Sequence, residues 1–175
     1  TLSDGRKVAG THCLVAIGSI PNTEGLGLDA AGVEVSDSGH VVVDGVSRTC
    51  VNNIYAAGDC TGVYPLASVA AMQGRIAMAH ILGDAVKPLR TDRVAGNIFT
   101  TPEIATVGVS EKDIEEGLYR GDTVMLSLTT NPRAKMMAVS DGFVKVFARK
   151  HSGTVIGGVV VGPRASELIF PISLA

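Results

Sequence analysis

Residues 54–75 read IYAAGDCTGVYPLASVAAMQGR, and the fold class can be argued from this segment outward. Ile54 to Ala57 has the apolar character of a buried strand, and it stops at the Gly58-Asp59 turn signal. A strand ending in Gly-Asp sets a carboxylate at the carboxyl edge of a sheet, where open α/β sheets hold their ligands. Gly58 lets a ligand approach the backbone closely, and Asp59 can accept a hydrogen bond from a sugar or polyol hydroxyl. On its own the same dipeptide is more often a plain strand-end turn with Asp as a helix or loop cap. The next residues tip the balance toward a ligand. Pro65 to Leu82 has helical composition, with Ala67, Ala70, Ala71, Ile76, Ala77, Met78 and Ala79 giving close-packing faces and Gly83 as the stop. The unpaired N–H groups at the start of that helix form an anion-favouring end a few residues beyond Asp59.

Outward from this segment, Val8 to Ile17 reads as a strand that ends at Gly18, before the breakers Pro21-Asn22. Asp4-Gly5 is a hairpin-turn signal. Residues 19–40 are loop-rich, and Val41 to Asp44 alternates briefly. Residues 84–96, with Pro88 and mixed charges, read as a connector and mark a domain boundary. Beyond it the pattern changes. Ile98 to Thr101 is a short strand before Pro102, and Ser110 to Gly117 is a helix with Ser110 and Asp113 as a capping box. Thr123 to Thr130 is a strand. Phe143 to Arg149 and Thr154 to Val161 make a β-hairpin about the His151-Ser152-Gly153 turn. Met136-Met137 is expected in a loop, as packing. Ala165 to Ala175 reads as a helix that Pro171 would kink or break.

Composition narrows the function classes. The chain has 175 residues, 15 Lys and Arg against 17 Asp and Glu, 46% hydrophobic and only 18% charged residues. That apolar content can bury a core, which excludes disorder. The near-neutral balance without a Lys/Arg run argues against nucleic-acid binding. The uncharged stretch Cys60 to Gly74 is broken by Gly62, Pro65 and Gln73 and falls short of the ~20 apolar residues of a membrane span. Cys13, Cys50 and Cys60 include no close pair, so neither a zinc site nor a local redox dithiol is encoded, and a reduced cytoplasmic setting is expected. His12, His40, His80 and His151 show no ligand spacing, and no metal site is expected. The first residues open inside a turn and the last helix has no C-cap. Both ends therefore read as cut from a longer protein.

IYAAGD, preceded by Gly39-x-Val41-x-Val43-Asp44 and followed by PLASVAAMQGR, resembles the second flavin-binding segment of the flavoprotein disulfide reductases. VAIGSIPNT at 15–23 resembles the end of that family's NAD(P) domain. NIFTTPEIATVGVSE at 97–111, TNPRAK at 130–135, GFVKVF at 142–147 and TVIGGVVVGPRASELI at 154–169 resemble its dimerisation domain. The resemblance implies an α/β and α+β architecture: part of a doubly wound FAD/NAD(P)-binding fold, then an α+β dimerisation domain with an antiparallel sheet. It divides the chain into residues 1–20, the end of the NAD(P)-binding domain; 21–92, the second FAD-binding segment; and 93–175, the dimerisation domain.

By the same resemblance, Asp59 would bond the ribityl chain of FAD, with Gly58 giving it room. The N–H groups of Leu66, Ala67 and Ser68 would face the flavin pyrimidine carbonyl, where reduced flavin gathers negative charge. Gly18 would lie against NAD(P)H, or simply end a strand. Arg133 and Glu103 would be structural hydrogen-bond partners, and His80 a structural or solvated residue. No catalytic residue is expected within the chain. Ser68 stands where lipoamide dehydrogenases commonly carry His, which brings the chain nearest to the lipoamide-dehydrogenase-like NAD(P)H:quinone reductases. A homodimer that passes electrons from NAD(P)H through FAD to a quinone-type small molecule is the expectation. A dihydrolipoamide dehydrogenase and an inactive dimerisation module are the alternatives.

Overall fold

Alternating apolar residues after residue 95 build most of the regular structure. The computed structural model describes all residues, Thr1–Ala175, as two compact units, Thr1–Pro88 and Leu89–Ala175. In the second unit, β1 (Gly96–Ile98), β2 (Glu103–Gly108), β3 (Gly121–Ser127), β4 (Phe143–Arg149) and β5 (Val155–Gly162) form one sheet in the order β1-β2-β5-β4-β3. Every neighbouring pair is antiparallel. The expected β4–β5 hairpin forms, its turn carried by His151 at φ 74° and Gly153 at φ 68°. The short strand expected over Ile98–Thr101 lies earlier, at Gly96–Ile98, where β2 supplies its ladder. The strand expected over Thr123–Thr130 also begins earlier and ends at Ser127, because Leu128–Thr130 tightens into a 3₁₀ turn.

One sheet face packs on two short helices, α4 (Ala165–Leu168) and α5 (Phe170–Leu174). Ala105, Val107, Val160, Ala165 and Ile169 are buried there, with Ala95, Val144 and Ile172 against them. The helix expected over Ala165–Ala175, with Pro171 as its kink or break, is two pieces. Pro171, in the first turn of α5, supplies no N–H to the preceding turn, so the hydrogen-bond ladder restarts at Phe170. Phe147 is fully buried in β4, and Lys145 two residues earlier is ion-paired to Glu111 of α2 (Glu111–Glu115). Met136 is not in a loop: it closes α3 (Pro132–Met136), which starts with Pro132 and an Asn131 cap. Met136 and Met137, at the end of this short helix and its C-cap, are exposed rather than packed.

The capping box at Ser110 is present as expected. Ser110 Oγ accepts from the Asp113 N–H at 3.2 Å, and the Asp113 carboxylate accepts from the Ser110 N–H at 2.8 Å. The hydrogen bonds from the Ser110 side chain and backbone hold the Asp113 carboxyl below its usual range. A depressed carboxyl contributes stability above its unfolded value and loses it as pH falls through the folded one. Fraying of α2 is therefore expected as pH drops below the ordinary carboxylate range. Amide exchange of Glu111–Glu115 reads it, and Asp113→Asn should remove that pH dependence.

In the first unit the regular element is helix α1 (Ala67–Ile81), close to the expected span, with Gly83 just past its end at φ 84°. The Asp4-Gly5 turn forms, with the Leu2 N–H donating to Arg6 O at 2.8 Å. The strand expected at Val8–Ile17 does not form. Leu14 and Ile17 are 90% and 94% exposed, and no strand of this unit borders the segment. An extended segment becomes a strand only when a neighbour takes its N–H and C=O groups. For the same reason Val41 and Tyr55 make only isolated bridges, to Val35 and Arg48.

Candidate functional site

The Gly58-Asp59 turn and the start of α1 form the candidate site. Gly58 sits at φ 92° and ψ −160°, a conformation essentially confined to glycine. Asp59–Thr61 follow as one 3₁₀ turn, closed by the Thr61 N–H on Gly58 O at 2.9 Å, and Gly62 leaves it at φ 66°. The turn exposes Asp59, whose carboxylate enters no salt bridge. It is a charged acceptor without a partner in the chain.

Helix α1 begins without a side-chain cap, because its N-cap is Leu66. The first hydrogen bond it receives from within the helix is Ala70 N–H to Leu66 O at 3.0 Å. Ala67 and Ser68 are exposed, and their N–H groups are among the orphan donors every helix start leaves. The Leu66 N–H differs, since it donates to Tyr64 O at 2.8 Å. Of the three residues expected to face a flavin carbonyl, Ala67 and Ser68 thus keep available donors and Leu66 does not. An unpaired carboxylate a few residues before an uncapped helix start fits a ligand with a polyol at one place and an electron-rich carbonyl at another.

The structure brings Gly58, Asp59, Leu66, Ala67 and Ser68 into one stretch and leaves Gly18 outside it. Gly18 lies in the exposed segment before Pro21, with no atom within 4 Å of where a Cβ would stand. Glu103 is a structural partner as expected, its Oε2 accepting from the Ser166 N–H at 3.2 Å and Oγ at 2.9 Å. Arg133 is exposed on α3 and forms no ion pair or side-chain hydrogen bond, so the structural role expected of it is not seen. His80 is structural: the Tyr55 hydroxyl lies 2.8 Å from its Nδ1. Tyr55→Phe should therefore cost about 1 kcal/mol in a urea titration, the usual net value of one such bond.

Two further residues of the site are not singled out by any sequence motif. Gln73 is 2% exposed; its Oε1 accepts from the Gly58 N–H at 2.8 Å, and its Nε2 donates to Thr61 Oγ1 at 3.2 Å. Thr61 Oγ1 in turn donates to Gly58 O at 2.8 Å. The signal that could have found them is spacing. Val69, Gln73 and Ala77 recur every fourth residue as the buried row of α1, so a polar member of that row must have internal partners. No helix is long and apolar enough to cross a membrane, and no group of three or more His, Cys, Asp or Glu is placed to hold a metal.

Comparison with known proteins identifies the family. Residues 1–74 match the family model described as pyridine nucleotide-disulphide oxidoreductase, and residues 94–175 match that family's dimerisation domain. The chain is 57% identical over its 175 residues to an NAD(P)H dehydrogenase (quinone) of Mycobacterium tuberculosis, covering 36% of that protein. It is 40% identical over 163 residues, 93% of the chain, to a dihydrolipoyl dehydrogenase of Haloferax volcanii, covering 34% of that protein. The crystal structure of LpdA from Mycobacterium tuberculosis superposes with a TM-score of 0.87 at 57% identity, over 98% of this chain and 38% of that one. The chain thus spans about a third of the length of these relatives. The matches bear out the fold class the sequence implied, part of a doubly wound FAD/NAD(P)-binding fold followed by an α+β dimerisation domain with an antiparallel sheet. With both halves matched in order, the chain belongs to the pyridine nucleotide-disulphide oxidoreductase family.

Proposed function

We propose that the whole protein is an FAD-dependent oxidoreductase that takes hydride from NAD(P)H and passes electrons to a quinone-type acceptor. The observation that carries this reading is the exposed, unpaired Asp59 carboxylate on a glycine-only turn, followed by the uncapped start of α1. Asp59 receives a ribityl hydroxyl, Gly58 keeps the backbone clear, and the Ala67 and Ser68 N–H groups receive the pyrimidine carbonyl. Flavin, when bound, supplies the hydride-accepting and electron-passing chemistry. The chain's own part is to hold and orient it and to bias charge toward the helix start.

In this reading residues 1–20 end an NAD(P)-binding domain, with Gly18 against the nicotinamide cofactor. Residues 21–92 are the second FAD-binding segment, and 93–175 build a homodimer interface in a cytoplasmic enzyme. Similarity to the mycobacterial quinone dehydrogenase and Ser68 at the start of α1 favour a quinone over dihydrolipoamide. Steady-state assays of the whole protein with NADH and NADPH decide between them. Turnover with a benzoquinone and none with dihydrolipoamide is expected. Efficient dihydrolipoamide oxidation would replace the quinone assignment with that of a dihydrolipoyl dehydrogenase.

A further inference from the structure

Gln73 is buried on α1, yet both ends of its amide are used by the turn that carries Asp59. Its oxygen takes the Gly58 N–H and its nitrogen gives to Thr61 Oγ1, while the Thr61 hydroxyl hydrogen goes to Gly58 O. These three bonds close a ring around Gly58, with Asp59 on its outside. Each link is directional. Gly58 N–H can only donate, and Gly58 O can only accept. The hydroxyl between them accepts from the amide because its own proton is committed to Gly58 O. A group that both accepts and donates is therefore needed at position 73, and an amide is the side chain of that length which does so.

We propose that Gln73 is a positioning residue for the ligand held at Asp59. Its amide fixes the Gly58 backbone and so sets the direction in which the Asp59 carboxylate leaves the turn. The proposal rests on the flavin reading of the site. It goes beyond that reading by making a residue that touches no ligand responsible for part of the affinity. Neighbouring Val69 and Ala77 share the buried row but have no polar group to offer, so they support α1 without aiming the turn.

Substitutions separate aiming from mere support. Gln73→Glu keeps an acceptor for Gly58 but, ionised, faces the lone pairs of Thr61 Oγ1. The Thr61 hydroxyl must then turn to the carboxylate and release Gly58 O. Gln73→Met fills similar volume and loses both bonds. Thr61→Val breaks the ring at its other member, and Thr61→Ser restores it. Ala77→Gly lowers helix stability without touching the ring.

The test is FAD affinity of the whole protein, measured by reconstitution of the flavin-stripped form, together with amide exchange at Gly58. Gln73→Met and Thr61→Val each remove two bonds of the ring, and each should weaken FAD binding by about tenfold or more and speed Gly58 exchange. Gln73→Glu should fall between, while Thr61→Ser and Ala77→Gly should bind FAD as the unmodified protein does. In a Gln73→Met background, Asp59→Ala should cost much less affinity than it does alone, because a misdirected carboxylate has little left to lose. Full additivity of Gln73→Met and Asp59→Ala would overturn the positioning role while leaving the flavin reading intact. Failure of the unmodified protein to bind FAD would overturn the flavin reading and the ligand role of Gln73 with it. Unchanged Gly58 exchange in Gln73→Met would overturn the amide's hold on the turn whatever the ligand.

Discussion

Asp59→Ala in the whole protein should weaken FAD binding by about 10- to 150-fold, the range of a lost hydrogen bond to a charged group. The carboxylate is exposed and makes no salt bridge, so its removal should leave the flavin-free fold almost as stable as before, within about 0.5 kcal/mol. That split between affinity and stability is the mark of a residue that faces a ligand rather than the protein. Asp59→Asn keeps an oxygen acceptor and loses the charge, so its defect should be the smaller of the two. Reconstitution titrations read the affinity, and urea unfolding of the flavin-free protein reads the stability. Equal FAD affinity in all three proteins would show that the flavin contacts lie elsewhere.

The second large effect lies in the sheet. Gly157→Ala should destabilise the second unit by about 3 kcal/mol or more, at the upper end of what overpacking costs. Gly157 is buried in β5, opposite Gly108 of β2. An added Cβ would stand 2.6 Å from Val109 N and 2.8 Å from Val107 O, and closer still to Val109 O. These are backbone atoms, so no rotamer change relieves the overlap. The two strands must separate, at the expense of the 2.9 Å bond from Val109 N–H to Ile156 O. Gly153→Ala in the hairpin turn supplies the contrast. Its φ of 68° is strained for alanine, yet no atom lies within 4 Å of the added carbon. A smaller loss, about 1 kcal/mol, is expected there. Urea unfolding followed by far-ultraviolet circular dichroism ranks the two, and the reverse order would contradict the packing explanation.

Local signals were legible in the sequence and non-local ones were not. Ser110 and Asp113 act on each other within one turn, so the capping box can be read from their spacing and is present. Gly83 stops α1, and Pro171 breaks the last helix, for equally local reasons. Val8–Ile17 is the opposite case. Its apolar residues record an aptitude for a buried strand, but a ladder needs a neighbour that no local pattern supplies, and residues 1–88 contain none. Within the site, Gly58 and Asp59 stand out because their chemistry is carried by residue type. Leu66 departs from expectation, since the fate of its N–H depends on the path of the chain through Tyr64. Gln73 is inconspicuous as one polar residue in an apolar helix, although the four-residue row from Val69 to Ala77 already places it inside. His80 is structural as expected, but its partner Tyr55 lies 25 residues away and only the fold reveals it.

Whether the Gly58-Asp59 turn and the start of α1 hold a flavin is tested most directly by the flavin content of the whole protein. The protein is purified, incubated with excess FAD and passed through gel filtration. Visible flavin absorbance should co-elute with the protein at one FAD per chain and bleach on addition of NADH or NADPH. Protein that elutes free of flavin after that incubation would contradict the flavin assignment.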